Sequence, residues 1–340
     1  MQQFRVGSNE AGQRLDKFLR KYFKEASAGF LYKMLRKKNI TLNQKKAEGK
    51  EMLQQGDLIT FFFSGDTYEK FRGMQDVSPY KKAYESLPPI PVIFENKDLL
   101  VLNKPAGILS QKALPEDCTA NEWMIGYLLS QGTLKEEQLS TFHPSVCHRL
   151  DRNTSGLLLC GKSLEGSREM SLLLRRREQG KFYRTFVKGQ IREPLQLTGY
   201  LKKDNAANRV TVLTHRPYEE KGWERIETVC MPLAVWKKKD MTYLEVKLIT
   251  GKAHQIRAHM ASLKHPLLGD GKYGDTGWNS HMGWERGQLL HACRLEFPQI
   301  RGPLKELSGK VLTAPEPPVF ERIKEQEGAQ WLWRPGIPED

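Results

Sequence analysis

Cysteine is scarce in this chain, long apolar runs are missing and acidic residues are in short supply. The five cysteines, Cys118, Cys147, Cys160, Cys230 and Cys293, are widely spaced and form no CxxC pair. They indicate neither a disulfide framework nor a zinc knuckle, and read as reduced core residues. No run of eighteen apolar residues occurs, which excludes a helical membrane span. The opening MQQFRV lacks the apolar stretch and small-residue cleavage site of a secretory signal, so a cytoplasmic location is expected. Against 40 Asp and Glu stand 54 Lys and Arg, a formal charge of +14. A chain this basic most often meets a polyanion. Its 340 residues correspond to about two domains of ordinary size.

The positive charge is concentrated. Residues 12–63 hold twelve Lys or Arg and five Asp or Glu, a surplus of seven and thus half of the total. Within this segment Leu15, Phe18, Leu19, Tyr22 and Phe23 recur at helical spacing, predicting one amphipathic helix. A second helix is expected after Ser27, with Leu31, Met34 and Leu35 inward, and short strands near residues 39–43 and 57–63. The segment reads as a small α/β module, residues 12–64, whose exposed cations Arg14, Lys17, Lys33, Arg36, Lys37 and Lys38 would meet RNA phosphates.

Residues 65–89 lose periodicity and collect Gly65, Gly73, Pro79, Pro88 and Pro89, the composition of a linker. Beyond it, strands are predicted at 92–95, 99–103, 157–160, 182–188, 210–213, 226–235 and 242–249. Helices are predicted near 120–130, 164–177 and 253–264. The fold class is therefore α+β, a small module followed by a larger domain at 90–325 built on a mixed, mostly antiparallel sheet flanked by helices. The Pro-rich stretch from Gly302 is expected to be irregular, with a terminal tail at 326–340.

Two motifs are discounted on chemistry. Residues 156–163, GLLLCGKS, match the phosphate-loop pattern, but Leu157, Leu158, Leu159 and Cys160 form a buried-strand sequence whose amides would be tied up in a ladder. His254, His259 and His265 are spaced by five and six residues, which does not align imidazoles on one helix face, so no metal site is expected. His259 fits a core position instead.

The densest chemistry lies in HRLDRNTSG at 148–156, where Asp151 is flanked by Arg149 and Arg152. Nearby cations keep such a carboxylate ionised. Taken alone it is either a reactive group or a structural carboxylate holding a loop. KFYR at 181–184 offers an aromatic face on which a base could stack. In the TGKAHQIR stretch, residues 250–257, a strand gives way to a helix whose first turn presents cationic and amide groups.

These blocks resemble the RluA-type pseudouridine synthases. HRLDRNTSGLLL at 148–159 is similar to the family's HRLDxxTSGLLL signature. VLNKPAG at 101–107, KFYRT at 181–185 and the LITGKAHQIRAH…HPLLGD…YG stretch between 248 and 274 match its other blocks in order. Similarity extends over roughly Val92 to Phe320, and residues 12–63 resemble the S4 RNA-binding module that precedes many members.

The resemblance implies that Asp151 is the catalytic aspartate, that Tyr183 is a catalytic aromatic residue that packs on the target base and takes part in removing its proton, and that Arg257 pairs with the catalytic carboxylate. Arg149 matches the residue that replaces the flipped uridine in the RNA. Lys104 and Pro105 match a supporting turn, and Arg152, Lys104, Lys252, His254 and Gln255 are expected on the RNA-binding side. One departure is Gly251-Lys252-Ala253, where the family usually has Gly-Arg-Thr; Lys keeps the charge but gives up bidentate geometry.

The implied reaction breaks the C1′–N1 bond of uridine, turns the bound base and joins C5 to C1′. Nothing leaves, so no cofactor or metal is expected. The implied partner is RNA, foremost large-subunit rRNA, free or in a pre-ribosomal particle, because family members acting on it carry the S4 module. tRNA is the alternative substrate. A non-catalytic ribosome-associated RNA-binding protein is the alternative of another class. A monomer is expected, with no obligate protein partner and no membrane.

Overall fold

The computed structural model describes residues 1–73, 76–204, 206–218, 221–284 and 286–333. At the N-terminus, β1 (Gln2–Arg5), α1 (Leu15–Tyr22), α2 (Ala28–Arg36), β2 (Ile40–Leu42), β3 (Lys45–Lys46) and β4 (Leu58–Phe61) build a module around a four-stranded sheet of order β1-β4-β2-β3. The helical spacing in α1 buries Leu15, Phe18, Leu19 and Tyr22. Ser27 starts α2 by accepting the Phe30 N–H. The core is unusually aromatic, with Phe4, Phe18, Tyr22, Phe23, Phe61 and Phe63 in mutual contact. Strand β1 lies ahead of the Gly12 boundary expected from charge, because only two of its four residues turn inward.

The stretch expected to be an irregular linker is helical. In α3 (Gly65–Arg72), Ser64 caps the helix and Tyr68 enters the N-terminal core, where its hydroxyl meets that of Tyr22 at 2.5 Å. In α4 (Ser78–Ser86), Pro79 sits in the first turn, where its missing N–H has no helical partner to lose. That helix belongs to the larger body. It packs on α5 (Ala120–Ser130), with the Tyr84 and Trp123 rings 5.5 Å apart.

The larger body continues through β5 (Val92–Glu95), β6 (Leu99–Lys104), β7 (Ser145–Val146), β8 (Thr154–Gly161), α6 (Leu164–Arg176) and β9 (Gly180–Lys188). Next come β10 (Leu195–Asp204), β11 (Arg209–Leu213), β12 (Trp223–Trp236), β13 (Met241–Leu248), α7 (Gln255–Ser262), α8 (Thr276–His281) and β14 (Leu290–Glu296). The main path of the sheet runs β11-β10-β12-β13-β9-β14-β8-β6-β5. Its pairings are antiparallel except for β14 beside β8, which is parallel. The sheet is thus mixed and mostly antiparallel, as its alternating segments predict. Strands β10 and β14 escape that reading; β14 is buried on both faces and mixes His291, Cys293 and Arg294 with apolar residues.

The chain after Gly302 is ordered rather than irregular. Leu304 and Leu307 are buried in a 3-10 turn, β15 (Val311–Thr313) pairs with β14, and α9 (Pro318–Lys324) buries Phe320 and Ile323. Strand β16 (Ala329–Trp331) pairs with β12, so the expected tail at 326–340 joins the sheet as far as Trp331, while 334–340 lie outside the described residues. The apolar residues here are too few per segment to show a period, yet Leu304 and Leu307 pack with Leu99, Leu157 and Met170, while Phe320 and Ile323 pack with Phe186, Trp236 and Tyr243.

The phosphate-loop pattern resolves as strand. Leu157, Leu158, Leu159 and Cys160 pair with β6, Lys162 Nζ donates to Glu95 Oε1 at 2.6 Å, and Ser163 caps α6. Among the described residues no helix is long and apolar enough to cross a membrane.

Candidate active site

Four central strands and α7 converge on a cleft of about 370 Å³ whose lining includes Arg149, Asp151, Tyr183, Leu248, His254, Arg257 and Leu290. Asp151 stands on the turn that enters β8, where its carbonyl accepts the Thr154 N–H at 3.0 Å. The backbone on either side of it is pinned. The Ser110 hydroxyl both donates to the Leu150 carbonyl and accepts the Leu150 N–H, at 2.9 Å each. Lys104 Nζ reaches the carbonyls of Pro105, Ile108 and Arg152 at 2.9, 2.7 and 3.1 Å, and the Gly107 N–H joins it on Arg152 at 2.9 Å.

Glycine at 156 is required by the strand beneath. With φ at +108°, a Cβ there would lie 2.2 Å from the Ala292 carbonyl oxygen, inside the backbone of β14. This close approach seats the Asp151 turn beside the floor of the cleft.

Arg257, near the start of α7, bridges two carboxylates. Its Nη1 donates to Asp151 Oδ2 at 2.8 Å, while Nε and Nη2 grip Asp270 bidentately at 2.7 and 2.8 Å. The buried Asp270 also accepts the N–H groups of Lys272 and Tyr273 at 2.8 and 3.0 Å. Burial alone would raise its pKa; the Arg257 contact and those amides bring it below the usual carboxylate value. Burial alone would lower the guanidinium pKa, but Asp270 and then Asp151 hold it above its ordinary value. Arg257 is therefore a fixed cation, oriented by Asp270 and presented to Asp151.

Tyr183 projects from β9, buried except for 8% of its surface. Burial and the Asp151 charge push its phenol pKa up, so it remains neutral in ordinary buffers. Lys181, two residues earlier, also lines the cleft, and burial followed by the Arg177 charge lowers its pKa. His148 accepts the Leu159 N–H at 3.1 Å through Nε2, and burial pushes its pKa down to about 4.

The other sequence expectations divide. Arg149 is exposed at the cleft, and the structure places Arg152 on the same turn. Lys252 lines the cleft and pairs with Glu224. Lys104 is a correction: it is fully buried, and its ammonium donates to three backbone carbonyls instead of facing RNA. Burial lowers its pKa to about 7 against the favourable charge of Asp151. Gln255 is a second correction, 2% exposed and tied to Glu227, Thr228, Thr250 and the Lys252 amide. His259, 1% exposed, contacts Thr228 Oγ1 at 3.1 Å as a core histidine. His254 turns to Tyr273 and His265 to the Lys188 carbonyl, so the three histidines do not converge.

On the N-terminal module Lys33, Arg36, Lys37 and Lys38 lie on or just after α2, while Arg14 and Lys17 sit at the start of α1, with Arg14 held by Asp16 at 3.0 Å. Sequence reading missed the roles of Ser110, Asp270 and Tyr273. The DGKYG run at 270–274 lay in a recognised block, but a lone carboxylate thirteen residues from an arginine gives no periodic signal.

Comparison with known proteins decides what the cleft belongs to. The family model described as RNA pseudouridylate synthase matches residues 98–262, which span Lys104, Asp151, Tyr183 and Arg257. The ribosomal large subunit pseudouridine synthase C of Escherichia coli is 30% identical over 309 residues, covering 86% of this chain and 87% of the relative. The chain belongs to the RluA-type RNA pseudouridine synthases. An uncharacterised RNA pseudouridine synthase of Mycoplasma genitalium is 29% identical, with 87% of this chain and 89% of that one covered. In fold, this synthase resembles the solved human RNA pseudouridylate synthase domain containing 4 (TM-score 0.54, 20% identity), over 72% of this chain and 94% of that one.

Proposed function

We propose that this synthase isomerises specific uridines of large-subunit (23S) rRNA, with Asp151 as the carboxylate that engages the ribose. The observation that carries the reading is the asymmetric hold on Asp151: Arg257 takes Oδ2 at 2.8 Å, while Oδ1 has no hydrogen bond among the described residues and lies in a cleft walled by Tyr183. A carboxylate so held keeps one oxygen available either to attack C1′ or to remove the C2′ proton. After the C1′–N1 bond breaks, the uracil turns, C5 joins C1′, the C5 proton leaves and N1 gains one.

Tyr183 supplies a neutral ring on which the uracil can stack through that turn. Arg149, exposed at the cleft mouth, suits the space that the extruded nucleotide leaves in the RNA. The N-terminal module, S4-like in size and charge, would grip phosphates without reading bases. The ribosomal target is supported by the names of relatives aligned along most of the chain, and the cytoplasm is the matching location.

Asp151→Asn should abolish conversion of unmodified rRNA while leaving RNA affinity within about twofold. Carbodiimide and primer-extension mapping of rRNA and tRNA from a deletion strain would identify the uridines. An active Asn variant would overturn the role of Asp151, and loss of a tRNA pseudouridine in place of an rRNA one would move the substrate to tRNA.

A further inference from the structure

The two oxygens of Asp151 are served unequally, and a neighbouring side chain is placed to even the balance. Facing Oδ1 is His254 Nε2 at 3.9 Å, about 1 Å longer than a typical N–H···O hydrogen bond. His254 bears a backbone cost to be there: it is left-handed, with φ 53° and ψ 16°, a conformation disfavoured for residues with a Cβ. Its side chain does not cap α7, although the residue occupies the cap position. Helix formation therefore does not account for a histidine here.

Tyr273 orients the imidazole. Its Oη accepts the Val210 N–H at 2.9 Å and lies 2.9 Å from His254 Nδ1. With the Val210 amide already donating to this oxygen, the phenolic hydrogen is free to be given to Nδ1. That leaves the ring hydrogen on Nε2, the nitrogen facing Asp151. The same Tyr273 ring lies 5.3 Å from the Arg257 guanidinium carbon, so one aromatic side chain braces both neighbours of the carboxylate. Burial lowers the His254 pKa, which favours this neutral form.

We propose that His254 is a positioning residue: as uridine enters, its Nε2–H closes onto Asp151 Oδ1 and fixes the carboxylate plane while the base detaches, turns and rejoins. Hydrogen bonds of this kind commonly tighten when substrate binds. A second lone pair on Oδ1 stays free for the ribose. The inference rests on the role of Asp151 proposed above.

Single-turnover rates and RNA affinity, measured on an unmodified RNA that the wild-type protein converts, test it through three replacements. His254→Gln carries an N–H donor as far from Cβ as Nε2, whereas His254→Asn tolerates left-handed backbone better but reaches only as far as Nδ1. The expected order of rates is Gln well above Asn and Ala, with the last two reduced roughly 10- to 100-fold and all three binding RNA as wild type does. Tyr273→Phe, which removes only the hydroxyl, should also slow turnover without weakening binding. An Asn variant equal to or faster than Gln would mean a backbone role, a parallel loss of affinity would mean an RNA contact, and unchanged rates would mean no role; each overturns the proposal. Asp151→Asn in the same assay separates the two readings, since activity in that variant would remove the premise itself.

Discussion

Single residues in this synthase do their work through the backbone as often as through the cleft. Lys104 and Ser110 touch the peptide groups flanking Asp151 and fix where its side chain starts. His148 does a related job at Leu159, and the neutral ring it needs has a measurable consequence. Its folded pKa of about 4 lies below the ordinary histidine value of 6.5, so between those values the unfolded chain binds a proton that the fold refuses. Its contribution is complete above pH 6.5 and is lost as pH falls toward 4, amounting to about 2–3 kcal/mol. Urea midpoints from pH 7 to pH 4 should decline in wild type and decline less in His148→Gln. Asp151, Tyr183 and Arg257, which meet in one cleft, are picked out in the sequence by blocks that resemble the family's motifs; read alone, Asp151 serves equally as a structural carboxylate. Lys104 and Gln255 were misjudged because a polar residue in a motif looks the same whether it meets solvent or a buried carbonyl.

Elements were legible where the sequence keeps one period. Helix α1 announces itself by helical spacing and buries that face; strand β13 alternates apolar and polar residues although both its faces are packed, and Ala120–Ser130 matches its expected bounds. Strand β14 does not, because His291, Cys293 and Arg294 break any alternation; α3 and α4 do not, because their inward residues are few and Pro79 looks like a breaker until its place in the first turn is known. The junction between β8 and β14 leaves no room for a side chain at Gly156. Gly156→Ala would set a methyl group against the Ala292 carbonyl at a positive φ, costing about 2–4 kcal/mol. A denaturant titration should show that loss, and the Asp151 turn should shift with the strand, so turnover at a permissive temperature should fall as well.

Across the whole molecule the charge of +14 separates into a basic N-terminal surface and a few cations with individual tasks in the cleft. Replacing Lys33, Arg36, Lys37 and Lys38 together by Ala, all exposed and on or just after one helix, should weaken RNA binding. The slope of log affinity against log salt should become shallower by about 0.7–0.9 for each phosphate that the variant no longer neutralises. Titrations at several salt concentrations would check this, and an unchanged slope would make that surface a solubility feature.

The parallel pairing of β8 with β14 also sets a schedule. Asp151, Tyr183 and Arg257 have all been synthesised by residue 257, yet the strand seated between β8 and β9 begins only at Leu290. A nascent chain that has emerged no further than α7 carries the principal groups of the cleft without the partner that aligns them. Competence to modify RNA therefore arrives late in translation, after β14 has cleared the ribosome and closed the gap.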